Sequence, residues 1–284
     1  MVAIKNVAIK HSNAKPVPRL WGELVENYLD YLRAGGYPKT TIETRRQHLH
    51  FLARRIKLDP KSVTSEILIR WCSEQEWKPE TRRGRNNTFR FFWKWAADQD
   101  LLDNVAVALP KVRQRQTIPR VAPETIYADA LKDSDPKTRL ILRLAAECGL
   151  RRGEIATIHV GRDLEEDVFG WSLFVKGKGE KQRIVPITAS IARELLDLGW
   201  GWAFPGGVNG HISVEWVGRL ATRVLRNGWT LHTLRARFAT KAYDLDHDVF
   251  SVQALLGHAS PETTKRYVRT DPRRLRKIVE SVGS

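Results

Sequence analysis

The chain has 284 residues, more than one ordinary core needs and enough for two domains. Hydrophobic residues make up 42% and charged residues 28%, a globular balance that argues against wholesale disorder. Lys and Arg number 48 against 32 Asp and Glu, and a net charge of +16 points to a polyanionic partner, nucleic acid above all. Both halves are basic, with +7 over residues 1–110 and +9 over residues 111–284, which fits a grip on a duplex from two sides. Cys72 and Cys148 belong to no CxxC or Cys/His cluster, so a reducing compartment is expected, with no disulfide framework and no structural zinc. The first residues lack the apolar run of a signal peptide, and no stretch approaches the roughly 20 apolar residues that cross a bilayer. A soluble, cytoplasmic protein without a membrane partner is the expectation.

Residues 1–18 read as a flexible N-terminal arm. Leu20, Trp21, Leu24, Tyr28, Leu29 and Leu32 then recur at helical spacing and stop at Gly35-Gly36. Thr40 to Arg55 predicts a second helix with Ile42, Leu49, Phe51 and Leu52 on its buried side. Thr64 to Gln75 predicts a third, with Thr64 or Ser65 as N-cap, and Pro79 to Asp98 a fourth that buries Phe89, Phe92, Trp93 and Trp95. Residues 19–105 are thus a small all-helical domain. Residues 106–122, with Leu109-Pro110, the run Lys111 to Arg115 and Pro119, read as a charged linker that either follows a phosphate backbone or is a solvated hinge.

The second domain, 123–284, opens with helical patterns at Pro123–Lys132 and Pro136–Cys148. Trp171–Lys176 and Lys181–Ile187 are β-type runs flanking Gly177-Lys178-Gly179-Glu180, which predicts a hairpin. Helical patterns return at Ala189–Leu198, Ser213–Leu225, Thr233–Tyr243, Val249–Leu256 and Pro261–Arg269, with a basic segment, Pro272–Val282, after them. The fold class read from these elements is mainly α, with an α+β second domain built around one small antiparallel sheet.

Phosphodiester transfer without a metal needs a nucleophile, cations on the non-bridging oxygens and a proton donor for the leaving oxygen. The second domain offers each residue type. In Cys148-Gly149-Leu150-Arg151-Arg152-Gly153-Glu154-Ile155, Glu154 stands three residues after Arg151 and shares its helix face. Lys178 stands between two glycines at a predicted hairpin tip, where it reaches a groove or is an exposed turn lysine. His232-Thr233-Leu234-Arg235 spaces His and Arg so that both face one phosphate, and His258 follows the helix end Leu255-Leu256-Gly257. Nine positions later Tyr267 lies among Lys265, Arg266 and Arg269, cations that favour a phenolate nucleophile.

Taken singly, each of these signals is common in proteins that do no such chemistry. Their order and spacing together resemble the tyrosine recombinase (phage integrase/Xer) family, over roughly residues 19–270. The segments C-G-L-R-R-G-E-I, K-G-K-G-E-K-Q-R-I-V-P-I, H-T-L-R-A-R-F-A-T, L-L-G-H-A-S and T-T-K-R-Y-V carry the likeness. The resemblance implies a SAM-like helical core-binding domain followed by a catalytic domain. It implies that Tyr267 attacks the scissile phosphate to form a 3′-phosphotyrosyl link, with Arg151 and Arg235 on the non-bridging oxygens and His258 supporting them. It further implies that Lys178 protonates the 5′-hydroxyl, His232 assists proton transfer and Glu154 braces the site. Neither metal nor ATP is implied as a cofactor, and the expected assembly is a homotetramer exchanging strands through a Holliday junction.

The family often has His after the second Arg, where this chain has Ala236 and then Arg237, which predicts altered local packing. Residues 1–18 are too few to fold alone, so recognition of short core-type sites without a folded arm-binding module is expected. A compact phage-type integrase is the first reading. Its rivals are a Xer-like resolution enzyme, a type IB topoisomerase and a non-catalytic DNA-binding protein of the same fold. Accessory bending or directionality proteins are possible partners, and Arg273–Val282 either reaches a neighbouring protomer or packs on its own chain. Three basic groups are the candidate duplex DNA contacts: Arg82, Arg83, Arg85 and Arg90; Lys111, Arg113 and Arg115; and Arg219, Arg223 and Arg226 on one helix. Each is otherwise a solvated face, and phosphate contacts there predict a steep salt dependence of binding.

Overall fold

A computed structural model describes residues 16–113, 119–177 and 182–257. The chain divides into two compact units, Met1–Gln116 and Thr117–Ser284.

The first unit is helical, as its periodicity predicts. Helix α1 (Arg19–Ala34) buries Trp21, Val25, Tyr28, Leu29 and Leu32, and the chain turns at Gly35 and Gly36, the latter with φ +68°. Helix α2 (Lys39–Ile56) buries Ile42, Leu49, Leu52, Ala53 and Ile56. Phe51, expected inside, is only partly buried. Its ring lies between the guanidiniums of Arg55 and Arg85, at 3.8 and 3.7 Å from the ring centre, and meets Trp71 and Trp77. Periodicity placed it inward because it cannot see that cations, as well as apolar side chains, cover a ring. Helix α3 (Ser65–Ser73) is capped by Thr64, whose hydroxyl accepts from the Ile67 N–H at 3.3 Å. Helix α4 (Pro79–Asp98) supplies Phe89, Phe92, Trp93 and Trp95 to an aromatic core in which Trp21 stacks on Phe92 at 6.1 Å and meets Trp93 edge-on at 5.9 Å. A 3-10 turn at Val105–Ala108 then buries Ala106, and Leu109 follows it into the same core. The stretch read as linker from residue 106 therefore begins as part of this core, because one short apolar turn and Leu109 pack into the aromatic cluster before Pro110.

In the second unit, α5 (Glu124–Lys132) and α6 (Pro136–Glu147) precede the short α7 (Arg152–Ala156) and the one-turn α8 (Val160–Asp163). Strands β1 (Leu164–Asp167), β2 (Gly170–Lys176) and β3 (Gln182–Ile187) form an antiparallel sheet in that order. The β2–β3 register runs from Trp171 opposite Ile187 to Lys176 opposite Gln182, the predicted hairpin. Strand β1 was not anticipated: Leu-Glu-Glu-Asp has little intrinsic β preference, and pairing of Leu164 with Leu173 and its neighbours makes it a strand. Helix α9 (Ala189–Leu196) packs Ile191 and Leu195 with Leu173, Val175 and Val185 of the sheet in the main core. A short Gly-rich strand, β4 (Pro205–Val208), leads to α10 (Val214–Leu225), α11 (Leu231–Asp246) and α12 (Val249–Leu256). Helices α6 and α11 are neighbours, so the segments after α6 and at the start of α11 meet. The helical patterns at 261–269 and 272–282 lie outside the described residues. Among the described residues no helix is long and apolar enough to cross a membrane.

Candidate active site

The site begins with a turn that only glycine fits. Gly149, between α6 and α7, has φ +64°, and a Cβ there would lie 2.5 Å from the Phe238 ring of α11. This close approach brings Arg151, the residue before α7, against the first turns of α11. The carboxylate of Glu154 closes the start of α7: it accepts from the Arg151 backbone N–H at 2.8 Å and from Arg151 Nη1 at 2.7 Å.

Arg183, on β3, grips the same carboxylate with both terminal nitrogens, each at 2.8 Å. Arg235 Nη1, on α11, stands 3.9 Å from Glu154 Oε2. Burial pushes the Glu154 carboxyl up, but hydrogen bonds from Arg183 and Arg151 and the Arg183 charge outweigh it and hold its pKa below the ordinary value.

The same three arginines also take the last carbonyls of α12. Arg183 Nε donates to Leu255 O at 2.9 Å, Arg235 Nη2 to Leu256 O at 2.6 Å and Arg151 Nη2 to Gly257 O at 3.0 Å. Terminal helix carbonyls have no partner inside the helix and carry partial negative charge, so cations suit them. Arg235 Nη1 donates in addition to Gly149 O.

His232 stands one turn before Arg235 on α11, where a capping box between Thr230 and Thr233 fixes the helix start. Arg151, His232 and Arg235 line one cleft of about 740 Å3, with Arg152 and Arg219 on its walls. Desolvation first, and then the charges of Arg235 and Arg151, lower the His232 pKa from 6.5. The imidazole is therefore neutral at pH 7.

Of the sequence candidates, Arg151, Glu154, His232 and Arg235 come together here. Lys178, His258 and Tyr267 lie outside the described residues, although Lys178 belongs to the β2–β3 connection and His258 directly follows Gly257. Arg183 was missed. Its signal is the strand alternation, since it shares with Val185 the face of β3 that turns inward. The Ala236-Arg237 departure has a packing reason. Ala236 is fully buried beside Ala239, Val252 and Leu256, while Arg237 turns away to Glu124, at 2.8 and 2.7 Å, and to Ala146 O at 2.9 Å.

The candidate DNA contacts divide. Arg82 donates to Cys72 O at 2.5 Å and to Gln75 O, satisfying the end of α3. Arg85 is sandwiched by Phe51 and Trp77, and Arg90 donates to Leu109 O at 2.7 Å and Pro110 O at 2.9 Å. Arg83 pairs with Glu80 one turn earlier. Arg83, Asn87, Arg90, Lys111 and Val112 nevertheless line one groove of the first unit. Arg113 is exposed, and Arg115 lies outside the described residues. In the second unit Arg219 borders the active cleft and Arg223 follows one turn later, over Trp216. Arg226 does not share their helix: it stands past the end of α10 with φ +50° and pairs with Asp133 at 3.1 Å.

The profile described as the phage integrase family matches residues 122–274. Tyrosine recombinase XerC of Myxococcus xanthus is 30% identical over 261 residues, 81% of this chain and 86% of that protein. Tyrosine recombinase XerD of Caulobacter vibrioides is 28% identical over 256 residues, 78% of this chain and 81% of that protein. Among solved structures, a lambda integrase dimer bound to a COC′ core site shares the fold with a TM-score of 0.69 at 19% identity, covering 87% of this chain and 76% of that one. XerH bound to a palindromic difH substrate, in a post-cleavage complex, gives 0.69 at 18% identity over 92% and 84%. A profile matching more than half of the chain, and a relative 30% identical across four-fifths of it, place this protein in the phage integrase family as a tyrosine recombinase, an enzyme of site-specific recombination.

Proposed function

We propose that this chain is a compact integrase that cleaves and rejoins duplex DNA at short core-type sites with Tyr267 as nucleophile. The observation that carries the reading is the cleft in which Arg151 and Arg235, held by one buried carboxylate, stand beside His232. Two fixed guanidiniums suit the non-bridging oxygens of a phosphodiester, where charge grows in the transition state. The Tyr267 phenolate oxygen forms a bond to phosphorus as the bond to O5′ breaks, and Lys178 gives the departing oxygen its proton. His232 assists proton transfer, and His258 hydrogen-bonds the same phosphate. The 3′-phosphotyrosyl ester keeps the energy of the broken bond, so a 5′-hydroxyl from the partner duplex reverses the step without ATP. Two rounds of exchange in a homotetramer pass through a Holliday junction, with accessory bending or directionality proteins as further partners.

A Xer-like role in chromosome or plasmid resolution is the second reading, favoured by the XerC and XerD names of the relatives. Joining of two separate duplexes, each carrying a candidate site from the genomic neighbourhood, tests the proposal in EDTA. Recombinant products with a junction intermediate are expected. Relaxation of supercoiled plasmid without joining would mean a topoisomerase, and reaction confined to direct repeats on one molecule would mean a resolution enzyme.

The lowered His232 pKa sets a pH dependence. Protonation would place a third cation beside Arg151 and Arg235, and its midpoint lies below the ordinary 6.5. Single-turnover cleavage is expected to hold level at pH 7 and to decline on an acid limb below 6.5, and His232→Gln is expected to remove that limb. An unchanged limb in the variant would assign it to another group.

A further inference from the structure

Arg183 is a buried arginine of the cluster: its side chain is 10% exposed, against 35% for Arg151 and 4% for Arg235. Its donors are engaged inside the protein. The fork holds Glu154 and Nε holds the Leu255 carbonyl. Gly257 leaves room for it, since a Cβ there would come within 2.8 Å of Arg183 Cδ. One side chain thus ties together the strand that follows the Lys178 turn, the carboxylate beside Arg151 and the helix end that leads into His258.

We infer that Arg183 is a positioning residue for strand transfer: its fork occupies and neutralises Glu154, so that Arg151 and Arg235 keep their charge for the phosphate. Without it, that buried carboxylate would be left to Arg151 at 2.7 Å and Arg235 at 3.9 Å alone, and would tighten its hold on both guanidiniums. The end of α12 would also lose its anchor at Leu255. Lysine cannot replace it, because a single ammonium has no planar fork for two carboxylate oxygens.

The inference rests on the proposed phosphoryl-transfer reading and has its own test. Full-length wild type, Arg183→Met, Arg183→Lys, Glu154→Gln and the double variant Arg183→Met/Glu154→Gln would be compared in single-turnover adduct formation on a nicked core-site duplex, with DNA affinity and thermal unfolding measured alongside. Arg183→Met is expected to lower the rate constant about 100-fold, the order of effect that misplacing reacting groups produces. Its final adduct yield and DNA affinity should stay within about threefold. Adding Glu154→Gln should recover about tenfold of that rate, because the carboxylate that sequesters the arginines is gone, and this gain in rate should exceed any accompanying change in adduct yield or melting temperature, which a purely structural pair would move together with it. Arg183→Lys keeps a charge in place if the methionine variant fails to fold, and it should remain at least about tenfold slow.

A near-wild-type rate constant in folded Arg183→Lys or Arg183→Met, or a loss confined to yield and melting temperature, would overturn the inference while leaving the tyrosine chemistry intact. Additive single and double variants would overturn it too. Absence of any adduct in the wild type would remove the parent reading and this inference with it.

Discussion

Tyr267→Phe is expected to bind core-site DNA as the wild type does and to lose strand cleavage by at least about 10^4-fold, the scale seen when a covalent nucleophile is removed. The substitution takes away one oxygen and keeps the ring, so affinity, which rests on phosphate contacts by Lys and Arg, has no reason to fall. Lys265, Arg266 and Arg269 accompany Tyr267 in sequence and favour the phenolate there. No neighbouring hydroxyl substitutes for it in the proposed scheme. Filter binding and single-turnover cleavage on the same nicked duplex separate the two quantities, and cleavage within tenfold of wild type would mean that another residue attacks.

Arg235→Ala carries the second large effect, about 10^2 to 10^3-fold in the cleavage rate constant, the range found when one preorganised donor to a developing oxyanion is removed. Arg235 is 3% exposed and also donates to Gly149 O and Leu256 O, so the variant leaves two buried carbonyls with fewer donors. A loss of stability of about 1–3 kcal/mol accompanies it. Arg235→Lys separates the two consequences. A lysine retains the positive charge but not two parallel N–H groups, so it should stay at least about tenfold slow even where folding is restored. Equal recovery of rate and melting temperature in Arg235→Lys would reduce the residue to a structural role.

The parts of this protein that follow from periodicity were legible in its sequence. Trp21, Tyr28, Leu29 and Leu32 mark α1, and α4 runs from Pro79 to Asp98 because proline opens it and aromatic residues fill one face. The Arg151–Glu154 pair was legible as well, although the contact is a helix cap rather than a shared helix face: Arg151 precedes α7 in extended conformation, and the two side chains meet at 2.7 Å. What sequence signals could not supply was the demand of backbone carbonyls. The end of α12 recruits Arg183, Arg235 and Arg151 through Leu255, Leu256 and Gly257, and the end of α3 recruits Arg82 in the same way. An arginine reads alike in sequence whether its partner is a phosphate, a carbonyl or, as for Arg85, two aromatic rings. Strand β1 escaped notice for a related reason, because its pairing with β2 overrides its acidic composition.

In the proposed reaction this protein breaks a phosphodiester by forming a bond from Tyr267 to the DNA 3′ phosphate. The most direct measurement traps that bond on a nicked or phosphorothiolate core-site duplex in EDTA, digests the adduct with trypsin and nuclease, and identifies the modified peptide by mass spectrometry. A phosphorylated Tyr267-Val268-Arg269 fragment, released by cleavage after Arg266 and Arg269, is expected. A nucleotide remnant on any other residue, or tight binding to the correct site with no adduct at all, would contradict it.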